Sequence, residues 1–169
     1  MTKRRMWLWY LLAVVLVIAA DQALKFWTVA NIPLNAAPED EIPMIPGLVH
    51  LTYIRNTGAA FGMMQGGRWL FLLLLAAFCV LVVWAIRTNK LTDEFQRILA
   101  MLAVGGAIGN GIDRAAYGYV VDMFEVEFMN FAVFNLADAV LCVACFLFVI
   151  AVLLEDWRQK KRHATPAEE

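Results

Sequence analysis

The sequence predicts an integral membrane protein, all-α within the bilayer, with four transmembrane helices and a short sheet on its outer face. Three observations carry this. The chain has 169 residues and is 62% hydrophobic, well above the about 45–50% apolar content of a soluble domain. Four of its runs approach the roughly 20 apolar residues that a spanning helix needs. Most of its basic residues fall into three clusters instead of being spread along the chain. At this length the whole of 1–169 is read as a single membrane-embedded domain. The formal net charge of -1 is less informative than where the charges lie, and no nucleic-acid partner is expected.

The first span runs from Trp7 to about Ala30. Lys3, Arg4 and Arg5 before an apolar core imitate a secretory signal. However, the apolar character resumes after Asp21-Gln22 and continues through Phe26, Trp27 and Val29, so the segment is read as a retained span. The second span, 69–86, is uniformly apolar. The third, 95–112, is the weakest, because it holds Gly105, Gly106, Gly109 and Gly111 and ends in polar residues. Gly105 and Gly109 form a G-x-x-x-G pair of the kind that lets helix backbones approach closely in lipid. The fourth span covers 135–154.

Basic residues cluster at Lys3, Arg4 and Arg5, at Arg87, Lys90 and Arg97, and at Arg158, Lys160, Lys161 and Arg162. The positive-inside rule therefore puts both termini and the 87–97 loop in the cytoplasm. Segments 31–67 and 115–134 then lie outside, and the second contains no Lys or Arg. Residues 31–50 are rich in proline and acidic side chains and read as a loop. Residues 48–54 are β-like by composition, and 55–62 carry turn chemistry. Cys79, Cys142 and Cys145 fall within spans and read as small core residues. His50 and His163 fall in a loop and a tail without a plausible partner, so neither a metal site nor a cofactor is expected.

The polar residues at the outer ends of the spans carry the functional reading. An ionisable residue in or beside a span is costly to desolvate and is a functional hypothesis by default. Asp21 and Lys25 are four apart on one helix face and can neutralise each other. Asn110 and Asp113, three apart with Arg114 next, make a hydrogen-bonding face toward a cleft. Asp122 sits in the apolar, β-compatible stretch 119–124. Asn135 and Asp138 share a face at the start of the fourth span, where Asn135 is an N-cap candidate and the helix dipole favours Asp138. Two carboxylates held close share a proton, so one can activate water while the other polarises a carbonyl. Intramembrane carboxylates also mark ion paths, but here the polar residues gather at one end and the second span has none at its midplane. A scaffold role, with the glycine-rich span packing on a partner, is the remaining alternative.

These residues fall into five blocks: Asp21-Gln22-x-x-Lys25, Asn56-Thr57-Gly58-Ala59-Ala60-Phe61, Gly109-Asn110-x-x-Asp113-Arg114, Val120-Val121-Asp122 and Phe134-Asn135-Leu136-Ala137-Asp138. Together, and in this order, they resemble the lipoprotein signal peptidase family, also called signal peptidase II. The resemblance implies an aspartyl endopeptidase of the bacterial inner membrane, working without a cofactor among membrane lipids, and a four-span monomer is the default expectation. Its substrate would be a diacylglyceryl-modified prolipoprotein, cut just before the lipidated cysteine. Asp122 and Asp138 would be the catalytic dyad. Asn56, Gly58, Asn110, Arg114 and Asn135 would line the substrate cleft, and Asp21, Lys25, Asp113 and Ala137 would support it. The resemblance also implies an extracytoplasmic β-cradle, assigned to 31–62, and a lid, assigned to 123–133. This chain departs from the family's common pattern in placing Met123 before Phe124 after the first aspartate, and in a short lid without Trp, Gly or Pro.

Overall fold

The computed structural model describes residues 3–58 and 66–164, so the Ala59-Ala60-Phe61 part of the second block lies outside the described residues. Among the described residues four helices are long and apolar enough to cross a membrane. They are α1 (Lys3–Asn31), α2 (Arg68–Arg87), α3 (Glu94–Tyr117) and α4 (Leu136–Ala164). Strands β1 (Ile42–Ile45) and β2 (Val49–Asn56) lie between α1 and α2, and β3 (Val120–Val126) lies between α3 and α4. They form one antiparallel sheet in the order β1-β2-β3.

Helix α3, the least apolar of the four, is the central one. In its most apolar window 61% of residues are buried inside the protein, against 17% in α1 and 11% in each of α2 and α4. The other three helices therefore meet lipid with side chains such as Leu16, Leu73, Val80, Phe146 and Leu153. Helix α3 meets protein, so it needs small residues more than apolar ones. Gly106 illustrates this: a Cβ there would stand 2.5 Å from the Ala137 carbonyl oxygen of α4. At the end of the bundle away from the sheet, Tyr10 donates to Glu94 at 2.8 Å and Gln96 donates to Glu155 at 2.6 Å, tying α1 and α4 to α3.

Local chemistry fixes the ends of α3. The Asp93 side chain accepts the Gln96 backbone N–H at 2.9 Å, an N-cap bond. Gly118 ends the helix at φ 81°, a left-handed conformation that glycine adopts without a Cβ penalty. That turn feeds the chain directly into β3.

The sheet differs from the sequence expectation in two places. Strand β1 forms across Pro43 inside the stretch read as a loop. It is an edge strand, where a missing backbone donor is tolerated. The third strand comes from residues 120–126, so the first four residues of the segment assigned to the lid are part of the sheet. Only 127–133 remain irregular. Backbone bonds close this excursion: Phe124 donates to the Phe134 carbonyl at 2.8 Å and Phe134 donates back at 3.1 Å. One face of the sheet packs through Tyr53, Val121 and Met123 on Ile32, just beyond the end of α1.

Candidate active site

The site begins with the cap of α4. The Asp138 backbone N–H donates to Asn135 Oδ1 at 2.9 Å, and the Asn135 N–H donates back to Asp138 Oδ2 at 3.2 Å. This reciprocal pair is a capping box, which satisfies two donors at the helix start. It leaves the Asn135 amide nitrogen free to point outward. That nitrogen donates to Asp122 Oδ1 at 2.7 Å and to Asn110 Oδ1 at 3.0 Å. One fully buried asparagine thus ties the start of α4 to β3 and α3. Capping does not take these two side chains out of the cluster, since each also bonds beyond α4.

Asp122 is held on its other side by Asn56, whose amide donates to Oδ2 at 2.9 Å. The Asp138 Oδ1 atom accepts from the Asn110 amide at 2.7 Å. Neither carboxylate is paired with a cation among the described residues. For Asp122, on the sheet, burial raises the pKa to about 7, with the Asp138 charge adding to it, while the bonds from Asn56 and Asn135 oppose the rise.

Behind the two carboxylates lies a buried ion cluster. The Lys25 ammonium reaches Asp21 at 2.9 Å, Asp113 at 3.0 Å and Asn110 Oδ1 at 2.9 Å. Three acceptors meet its three protons. Asp21 also accepts the Ala137 N–H at 2.9 Å, and Asp113 accepts the Val121 N–H at 3.1 Å. Each acid therefore grips the backbone beside one of the site aspartates, Ala137 next to Asp138 and Val121 next to Asp122. Gly109 on α3 leaves room for this, since a Cβ there would lie 2.7 Å from Asp21.

Arg114 donates to the Gly58 carbonyl at 2.9 Å and lies over the Phe71 ring at 4.5 Å. The Gly58 N–H in turn donates to Asn56 Oδ1 at 3.0 Å. Asn56, Asn110, Arg114, Asp122 and Asp138 all line one cavity of about 750 Å³. The rest of its wall is mainly apolar, including Phe71, Leu74, Phe78, Phe131, Phe134 and Leu141.

The candidate catalytic, cleft and supporting residues named from the sequence thus converge. Gln22 belongs with them and was quoted in its block without a role. Its amide donates to Asp113 at 2.9 Å, the Gly109 carbonyl at 3.2 Å and Asp21 at 3.3 Å. Its signal was a second polar residue beside Asp21 within a span. The aromatic wall had no such signal, because phenylalanine is unremarkable in a membrane chain. His50 requires a correction. It lies on β2, directly across from Glu125, with carboxylates of Glu41, Glu125 and Glu127 around its ring. Strand pairing brings together residues too far apart in sequence to have been linked there.

Comparison with known proteins gives the family. A family model described as signal peptidase (SPase) II matches residues 13–154. The lipoprotein signal peptidase of Streptococcus pyogenes serotype M2 (strain MGAS10270) is 37% identical over 147 residues, 87% of this chain and 94% of that protein. That of serotype M5 (strain Manfredo) is 36% identical over the same shares. A bacterial membrane enzyme solved by the in meso method at 2.3 Å resolution is similar with a TM-score of 0.81 and 27% identity, covering 95% of this chain and 93% of that one. A second, solved the same way at 1.9 Å, gives a TM-score of 0.76 and 29% identity over 85% and 92%. Because the match runs from the first span into the last and takes in both aspartates, this chain belongs to the signal peptidase II family of membrane proteases.

Proposed function

We propose that this enzyme removes signal peptides from diacylglyceryl-modified prolipoproteins, cutting the bond just before the lipidated cysteine, with Asp122 and Asp138 as its catalytic dyad. The observation that carries the proposal is the meeting of two carboxylates, each held by amide donors, in a cavity that is otherwise mainly apolar. The apolar wall suits a substrate whose acyl chains stay in the bilayer. The polar end suits hydrolysis of a peptide bond. Membership of the family and the names of its relatives point the same way.

In the proposed reaction the pair shares one proton. The ionised carboxylate takes a proton from water, which attacks the scissile carbonyl. The protonated one donates a hydrogen bond to the carbonyl oxygen as negative charge develops there. The tetrahedral intermediate collapses as the leaving amine takes a proton from the dyad, and no covalent enzyme intermediate forms. The pair titrates as a unit, so the resting proton belongs to the dyad. Asn110 and Asn135 aim the two carboxylates, and Arg114 shapes the cleft through Gly58. Residues 127–133, carrying exposed Phe128 and Met129, serve as the lid over the lipid-facing side.

The basic clusters at 87–97 and at both chain ends support a reading in which those segments lie in the cytoplasm and the protein spans a bacterial inner membrane. The sheet and the dyad then stand at the extracytoplasmic face, where the substrate emerges. The enzyme works as a monomer. A matched pair of substrates tests the reading. Purified enzyme should cleave a diacylglyceryl-modified prolipoprotein, leave the unmodified precursor intact, and yield a product beginning at the lipidated cysteine. Equal cleavage of both precursors, or a cut elsewhere, would contradict it.

A further inference from the structure

A second constellation lies on the sheet away from the dyad. Glu125 stands three residues after Asp122 on β3, an odd spacing that turns it to the opposite face of the strand. His50 faces it directly from β2, and Glu41 immediately precedes β1. The His50 Nε2 atom lies 2.9 Å from Glu41 Oε2 and 3.3 Å from Glu125 Oε2. It is shielded from solvent, yet it makes no hydrogen bond of acceptable geometry among the described residues. The other ring nitrogen, Nδ1, is 3.4 Å from Glu127 Oε1, within reach as a donor.

This is the arrangement of a metal-binding histidine. When Nδ1–H is directed at a carboxylate, the tautomer is fixed and the Nε2 lone pair faces outward. Here it faces two carboxylate oxygens, which a bare lone pair would repel. Even a protonated imidazole would leave two of the three surrounding carboxylate charges uncompensated. A divalent cation between Nε2 and the two oxygens removes the repulsion and leaves only the Glu127 charge uncompensated. The three ligand atoms lie within 4.8 Å of one another. Metal–ligand bonds of about 2.0–2.2 Å require a somewhat tighter set, which small rotations of the two glutamate side chains supply.

We propose that Glu41, His50 and Glu125 bind a divalent transition-metal ion, Zn²⁺ by the chemistry of its donors, with Glu127 orienting the imidazole. One nitrogen and two oxygens match zinc, with water as a fourth ligand. Mg²⁺ and Ca²⁺ favour all-oxygen sets. The site is structural. It pins the exposed edge strand β1, through Glu41, to β2 and β3, and those two strands carry Asn56 and Asp122 to the dyad.

Calorimetric titration of chelator-stripped full-length protein in detergent with ZnCl₂ tests this, alongside thermal unfolding. The expected result is one Zn²⁺ bound per chain and a higher unfolding midpoint with zinc. Both effects should vanish in His50→Ala and survive in a variant with Cys79, Cys142 and Cys145 all replaced by serine. Glu127→Gln should weaken binding by about 10- to 100-fold. Should His50→Ala fail to fold, Glu41→Gln removes a ligand that lies outside the strands, and it should abolish the zinc-dependent rise. Absence of saturable binding, binding unchanged in His50→Ala or Glu41→Gln, loss in the cysteine variant, or Mg²⁺ binding as tight as Zn²⁺ would each overturn the proposal.

Discussion

Asp122 is the residue whose environment says most. Burial lifts its pKa from an ordinary 3.8 to about 7, with the Asp138 charge as the next cause. Together with Asp138 it therefore holds a proton in the folded enzyme where the unfolded chain has lost it. The folded state binds more protons between about pH 4 and 7, so stability falls as pH rises through that window. In Asp122→Asn this contribution disappears. The midpoint of the variant minus that of the parent is expected to grow from about pH 4 to about pH 7 and then level off, read by thermal unfolding in detergent. A difference flat across that range would contradict the burial argument. The same proton is the one the proposed reaction uses. The alkaline limb of kcat/KM should accordingly fall above about pH 7, and a profile flat to higher pH would count against a shared proton. At this scale much was legible in the sequence, because a carboxylate or amide in apolar surroundings advertises itself. Asn135 was read both as a cap and as a site residue, and its side chain caps α4 through one atom and bonds Asp122 through the other. Gln22 shows the limit, since its three partners are set by how α1 packs on α3.

Helix α3 is where element-scale reasoning from hydropathy runs out. It was the weakest span by composition and is the most enclosed. Hydropathy measures affinity for lipid, and a helix surrounded by other helices does not need it. Its glycines and its polar end answer to α1 and α4. Two outcomes follow. Replacing Lys25 by Met leaves Asp21 and Asp113 buried without their cation, which is expected to destabilise the bundle by about 3–5 kcal/mol. Calorimetric or fluorescence unfolding would measure that loss, and a midpoint equal to the parent's would refute the role given to the cluster. Gly106→Leu places a side chain against the Ala137 carbonyl and is expected to cost at least about 1–3 kcal/mol through overpacking. The same substitution at lipid-facing Val80 should be nearly neutral. The sheet was half legible. Strand β2 was visible in its β-branched and aromatic residues. Strand β1 was hidden by Pro43, and β3 was visible only as the β-compatible stretch around Asp122, its end lying in the segment assigned to the lid.

Across the whole molecule, the sheet, the two site carboxylates and the ion cluster all lie where α1 and α3 end and α2 and α4 begin. The basic clusters lie at the other end, and that asymmetry underlies the proposed orientation. A single cysteine at Glu39, in a variant lacking Cys79, Cys142 and Cys145, should react with a membrane-impermeant maleimide added outside intact cells. One at Asn89 should react only after permeabilisation. The reverse pattern would invert the topology. The fold class was readable from four apolar runs and the clustering of charge, because the bilayer leaves so few alternatives. The cavity was not readable, because its walls come from α2, α3, α4 and the segment after β3, and nothing local in those residues records their meeting.

The most direct test of the dyad compares three purified proteins on one lipid-modified prolipoprotein in a gel-shift assay: the parent, Asp122→Asn and Asp138→Asn. Cleavage by the parent, reduced by at least about 10²–10⁴-fold in both variants while each stays folded and monodisperse, is the predicted result. Cleavage at the parental rate by either folded variant would contradict the account, because a dyad cannot work with one member neutralised.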